Sequence, residues 1–253
     1  MTKAHVPPQA AGNKDRVVSA NVRLADRVLG HGRAAQGGMW FYSLCGDCNS
    51  MAGAHYDAAY ADFSNAVLTR VNLQQHLHLP PVRLAPARVA RSILIGMFAT
   101  SPHLRVMFRE LAEDLRNRRD RITMPDGANL RLAICLDRRT RLAGMYNAAR
   151  HIRRTQHYDV FSEVYFRPLA WVFTPSDRGS AQHAGQSVVE RQGWAVVDHW
   201  LQYGEERTAA DLRSLCRAPL PAVLHPLNGH DRGEWMEFMS DKVTAILEGQ
   251  IPS

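Results

Sequence analysis

A chain of 253 residues, 45% of them hydrophobic, can bury one large core or two smaller ones without a disulfide framework. Its formal net charge is +7, from 31 Lys and Arg against 24 Asp and Glu, which turns attention to acidic partners. No apolar run reaches the ~18 residues of a membrane span and no apolar stretch follows the N-terminus as a secretory signal would. The expectation is a cytoplasmic protein with no membrane partner, whose four cysteines stay reduced.

In chain order, residues 1–38 read as loop and short extended pieces, punctuated by Pro7-Pro8, Gly12-Asn13, Gly30, Gly32 and Gly37-Gly38. The apolar, aromatic run MWFYSLC (39–45) predicts a strand. From Asn49 to about Gln75, Met51, Tyr56, Tyr60, Phe63, Val67 and Val71 recur at helical spacing. The Pro-rich stretch HLPPVRLAP (78–86) is a joint. A helix over 86–100 presents Val89, Ile93 and Met97, and another begins at Ser101 as N-cap with Pro102 in its first turn. The texture then becomes β: LRLAICLD, FSEVYFRPLAWVFTP and WAVVDHWLQY, with Pro168 marking an edge strand or a bulge. Residues 176–189 read as a loop. The segment GEWMEFMSDKVTAILEG (233–249) predicts a closing helix with Trp235, Met239, Val243 and Ile246 inward.

Charge is unevenly distributed. Between Arg116 and Arg154, eleven Arg face three Asp, a balance of +8; from Glu190 onward ten acids face six bases, a balance of −4. The excess is Arg rather than Lys, and a guanidinium fork matches phosphate oxygens two at a time. Arg116, Arg118, Arg119, Arg138, Arg139, Arg141, Arg150, Arg153 and Arg154 are therefore candidate contacts to a nucleic-acid backbone. A solvated basic surface reflecting codon usage in a GC-rich genome accounts for the same residues.

Three features carry chemistry. Cys45 and Cys48 form one C-x-x-C, which supplies two of the four ligands of a structural Zn²⁺; Cys135 and Cys216 sit in apolar surroundings that suit inert thiols. Asn49, Gly53 and Asp57 fall one helical turn apart. Asn49 and Asp57 there either offer oxygens to a hard cation or serve as a helix cap and a solvated acid. His5 stands just ahead of Pro7-Pro8, which stiffen its setting. In the C-terminal half, His199, His225 and the NGHD turn (228–231) read as structural.

The order TKAHVPPQAAGN, then Gly37-Gly38, LCGDCNSMAG and Asp57, resembles the HNH endonuclease superfamily, in particular the branch with an acid-His-V-P segment followed by C-x-x-C-N. The resemblance covers about residues 1–60. It implies a ββα-metal fold in which a hairpin carries His5 as general base for hydrolysis of a DNA phosphodiester. It also implies Mg²⁺ or Mn²⁺ at Asn49 and Asp57, and Zn²⁺ at Cys45 and Cys48. Three departures stand out: Ala4 replaces the acid that precedes the His, Gly53 stands at the turn where a second His is expected, and no upstream C-x-x-C completes the zinc site. A module of this type that binds nucleic acid without cutting it is the alternative. The expected architecture is α+β: an HNH-like ββα module at 1–75, then an α+β domain at 83–253 with a helical segment, a mainly antiparallel β region and a C-terminal helix.

Overall fold

In this computed structural model the described residues are 1–15, 17–24, 27–31, 34–35, 37–73, 84–101, 104–135, 138–145, 162–175, 194–205, 222–223 and 243–250. They form an α+β protein. The chain starts with strand β1 (Thr2–His5), then a 3-10 turn at Gln9–Ala11, β2 (Val17–Leu24), β3 (Arg27–His31), β4 (Ala34–Ala35) and β5 (Trp40–Leu44). Helices α1 (Gly46–His55), α2 (Asp57–Leu73), α3 (Pro86–Thr100), α4 (Leu104–Met107) and α5 (Arg109–Arg116) follow. Next come β6 (Ala128–Cys135), β7 (Arg139–Met145), β8 (Ser162–Phe166), β9 (Leu169–Pro175), β10 (Ala195–Val196), a 3-10 segment at Asp198–Gln202, β11 (Ala222–Val223) and β12 (Val243–Gln250).

β1 and β5 pair antiparallel as a separate two-stranded ribbon, and α1 leaves directly from the end of β5. The other ten strands form one sheet in the order β10-β6-β9-β8-β7-β12-β2-β3, with β11 beside β6 and β4 beside β2. All its pairings are antiparallel except β11 with β6.

Helix α3 lies at the centre. Every residue in it except Arg88 is buried, so its apolar face is not confined to Val89, Ile93 and Met97. It is covered on several sides, by α2, by the ribbon and by strands β7 and β8. Gly96 lets those layers close: a Cβ there would lie 3.2 Å from the Trp171 ring and 3.3 Å from Val6. Helix α2 contributes Tyr60, Phe63 and Val67, and its Tyr60 ring lies 5.2 Å from that of Trp171 on β9. Each such side chain, fully withdrawn from water, contributes roughly 1.5–3 kcal/mol. The segments 1–75 and 83–253 share this core, since Ala4, Val6, Tyr56 and Tyr60 cluster with Leu94, Leu142, Trp171 and Trp200.

Several elements differ from expectation. The predicted C-terminal helix over 233–249 is wrong where it can be compared: Val243–Gln250 is a strand, paired with β7 on one side and β2 on the other. The run Val-Thr-Ala-Ile-Leu has β-branched residues that suit a sheet interior, and pairing on both edges outweighs its helical spacing. Residues 233–242 lie outside the described residues. The short extended pieces expected among loops at 1–38 are strands β1 to β4, of which β2 runs eight residues, and β7 went unread. The helix expected from Asn49 onward is two helices, broken at Tyr56 (φ −123°). The helix expected from Ser101 is likewise two, separated at Phe108, and Pro102 lies outside the described residues. Pro168 sits neither on an edge strand nor in a bulge but in the tight turn joining β8 to β9, preceded by a cis peptide bond. The run WAVVDHWLQY gives a two-residue strand and then the 3-10 segment.

Candidate functional site

Alternation along β1 sends Ala4 inward, 3% exposed, and leaves Lys3 and His5 on the opposite face. In register across the ribbon, Lys3 faces Tyr42, Ala4 faces Phe41 and His5 faces Trp40. The His5 Nε2 lies 3.0 Å from the Gly37 carbonyl oxygen. A carbonyl only accepts, so Nε2 carries the proton in this bond and Nδ1 keeps its lone pair. Burial lowers the His5 pKa from 6.5; the bond to Gly37 opposes this and the nearby Lys3 charge reinforces it. The net result is an imidazole that is neutral at pH 7.

The carbonyl that orients His5 belongs to a turn built from two glycines with φ of +80° (Gly37) and +83° (Gly38). Side chains other than Gly rarely adopt this backbone region. Gly38 is required for a second reason: a Cβ would lie 2.1 Å from the Asn13 carbonyl oxygen. Asn13 is buried and clasps the turn. Its Nδ2 donates to Pro7 O at 2.6 Å and Met39 O at 2.8 Å, and its Oδ1 accepts from Met39 N at 2.6 Å. Gly38 N donates to Asp15 O and Val6 N to Met39 O. The exit of β1 and the entrance of β5 are thereby fixed to one carboxamide.

Helix α1 is tied to the same ribbon. Cys45 is its N-cap, with Sγ accepting from Cys48 N at 3.3 Å. Cys45 is exposed, and hydrogen bonds from the Cys48 thiol and backbone N–H lower its pKa. Burial, with the bond to Cys45, pushes Cys48 up to about 11. Asn49 is not the cap. Its Nδ2 donates to Lys3 O at 3.1 Å, so the carboxamide ties α1 to β1 two residues before His5. Asp57 opens α2 just beyond the break at Tyr56, and its carboxylate still lies beside Gly53, with Oδ2 4.0 Å from where a Gly53 Cβ would stand. Its carboxylate accepts from Ser92 Oγ on α3 at 3.0 Å. Burial raises its pKa, against the Ser92 bond.

The candidate arginines are scattered in role. Arg116 is exposed at the end of α5, close enough to α1 for its charge to act on Cys48. Arg118 pairs with Glu205 at 3.0 Å and Arg119 with Asp114 at 2.9 Å, though both keep exposed surface. Arg138 is exposed, and Arg139 lies on β7 opposite Gln250. Arg141 is a correction: it is fully buried, as is Glu163, to which it pairs at 2.7 Å, and it presents nothing to a phosphate backbone. β7 is an interior strand covered at Arg141 and Leu142 alike, and a carboxylate compensates the buried charge. Arg150, Arg153 and Arg154 lie outside the described residues.

The oxygens expected to hold a catalytic Mg²⁺ or Mn²⁺ are those of Asn49 and Asp57. Such ions favour carboxylate oxygens. Ala4 supplies none, but the bond to Lys3 uses only Nδ2 of Asn49 and the bond from Ser92 reaches only Oδ1 of Asp57, so neither takes up the oxygen that a metal would use at Asn49 Oδ1 and Asp57 Oδ2. Among the described residues no group of three His, Cys, Asp or Glu side chains is placed to hold an ion. Cys45 and Cys48 accordingly remain two of the four ligands that a structural zinc requires.

A second polar node lies behind the site. Glu205 accepts from Tyr56 OH at 2.8 Å and from Arg118, and pairs with Arg91 at 3.2 Å. Arg91, fully buried on α3, also donates to the backbone of Arg119 and Asp120. Burial would raise the Glu205 carboxyl, but bonds from Arg118 and Tyr56 with the Arg91 charge hold it below the usual range. Burial and Glu205 push Tyr56 up to about 12.

Sequence reasoning missed this node, Asn13 and the paired aromatics of β5. Asn13 had a local signal, as the residue after Gly12 in a segment of turn residues, and the β5 aromatics stand in the run MWFYSLC. Compared with family models, curated proteins and solved structures, the chain matches none. Among the described residues no helix is long and apolar enough to cross a membrane.

Proposed function

We propose that the β1–β5 ribbon and α1 form an HNH-type site that hydrolyses phosphodiester bonds in DNA, in the cytoplasm, with His5 as general base. The observation that carries this reading is the bond from His5 Nε2 to the Gly37 carbonyl, which leaves a neutral imidazole with its Nδ1 lone pair available. Nδ1 takes a proton from water as the oxygen attacks phosphorus. The P–O bond to the leaving 3′-oxygen breaks, and that oxygen takes a proton from solvent. Asn49 holds α1 against β1 and Asn13 holds the turn, so both position His5. Asn49 and Asp57 are the residues that would hold the Mg²⁺ or Mn²⁺ the resemblance implies, and the ion would offset charge on the phosphate and the leaving oxygen.

The test is nicking of supercoiled plasmid with Mg²⁺ or Mn²⁺ supplied. The wild type nicks, and His5→Ala abolishes nicking while still binding DNA. A pure wild-type protein that never nicks under these conditions overturns hydrolysis.

A second reading has its own support. Ala4 is buried where a metal-binding acid is expected, which favours a module that holds nucleic acid without cutting it. That reading requires binding that falls steeply with salt and needs no divalent ion.

A further inference from the structure

We infer that the outer face of the β1–β5 ribbon is a stacking subsite for an unpaired nucleobase, placed beside His5. The inference rests on the nucleic-acid reading and deepens it. On this face Trp40 and Tyr42 stand two residues apart on β5, their ring centroids 5.0 Å apart with planes at 76°. Tyr42 is 59% exposed, so its ring is open to a ligand from solvent. The Lys3 ammonium lies 4.5 Å from the Trp40 ring centroid, and His5 faces Trp40 across the register. Neither strand carries an acid, so the face offers π-surface, one fixed cation and one imidazole.

That combination matches one ligand chemistry. A base presents a flat π-face that stacks on aromatic rings whatever its identity, and its phosphates pair with a nearby ammonium. A duplex hides its bases in its own stack, so the occupant is an unpaired base of a single strand, or one exposed where a duplex opens. With the base on Tyr42 or Trp40, the adjoining phosphate falls toward His5, its neighbour on the same ribbon.

The experiment uses the full chain, EDTA to prevent cutting, an unstructured oligothymidylate, an abasic oligomer of equal length, and a duplex. Trp171 and Trp200 are buried, so quenching that appears in the wild type and disappears in Trp40→Phe reports on Trp40. The expected result is such quenching by oligothymidylate but not by the abasic oligomer. Tyr42→Ala should weaken oligothymidylate binding about ten-fold, and Tyr42→Phe should retain it. Trp40→Ala, checked for folding by circular dichroism, should weaken it similarly.

Equal affinity for oligothymidylate and the abasic oligomer overturns the subsite, as does wild-type affinity in Tyr42→Ala. Plasmid nicking that depends on His5 without any stacking signal removes the subsite and keeps hydrolysis. A stacking signal without nicking does the reverse. No binding of any nucleic acid removes both.

Discussion

The imidazole of His5 and the carbonyl of Gly37 meet at 3.0 Å although 32 residues separate them, and β2, β3 and β4 occupy the intervening chain. The contact exists because β1 and β5 bring their ends together, and because Gly37 and Gly38 take up backbone angles that aim the carbonyl at the ring.

From this contact follows a pH dependence. Burial lowers the folded-state pKa of His5 below 6.5, so as pH falls through 6.5 the unfolded chain takes up a proton that the folded one refuses. The His5 contribution to stability is therefore full above pH 6.5 and declines as pH drops toward the lower folded value. NMR titration of the ring should give a midpoint below 6.5, and any base-dependent nicking should stay flat down to about that pH. A midpoint above 6.5 would contradict the half-buried, neutral ring.

Asn13 should be costly to replace. Asn13→Ala leaves the Pro7 and Met39 carbonyls and the Met39 N–H without their buried partner, and a loss of about 3 kcal/mol is expected in urea unfolding. The His5 resonance should move toward that of a free imidazole. Gly38→Ala should be worse still, since the new methyl meets the Asn13 backbone and φ is positive. A Gly38→Ala protein of wild-type stability would mean that the turn is not built as described.

Glu205 links α3, Tyr56 and Arg118. Removing it in Glu205→Ala leaves the Arg91 guanidinium buried beside a lost carboxylate, with an expected cost of about 3 kcal/mol. Because the carboxyl sits below its ordinary value, its stabilisation is present above pH 4.5 and disappears as pH falls through the lower folded pKa. The variant should thus lose part of the acid-side slope that the wild type shows in thermal unfolding.

The two thiols should react unequally. Cys45 is exposed with its pKa lowered, whereas Cys48 is half-buried and raised to about 11. Brief alkylation with iodoacetamide near pH 8 should label Cys45 first, as peptide mass spectrometry would read. Preferential labelling of Cys48 would place the α1 N-terminus differently.

Local pattern was enough for strands β5, β6, β8 and β9 and for helix α3, because each element buries side chains at its own period and that period is written in neighbouring residues. Pairing across distance was not written there. The periodicity of 243–250 suits a helix, and it becomes a strand because β2 and β7 each offer it a free edge. Arg141 looks like any other Arg in a basic run until the sheet turns it toward Glu163. Asn13 and Gly37 belong to the site only because the ribbon closes. Hydrogen bonds and ion pairs between distant residues depend on where the backbone returns, and that is decided by packing of the whole core rather than by any short stretch of chain.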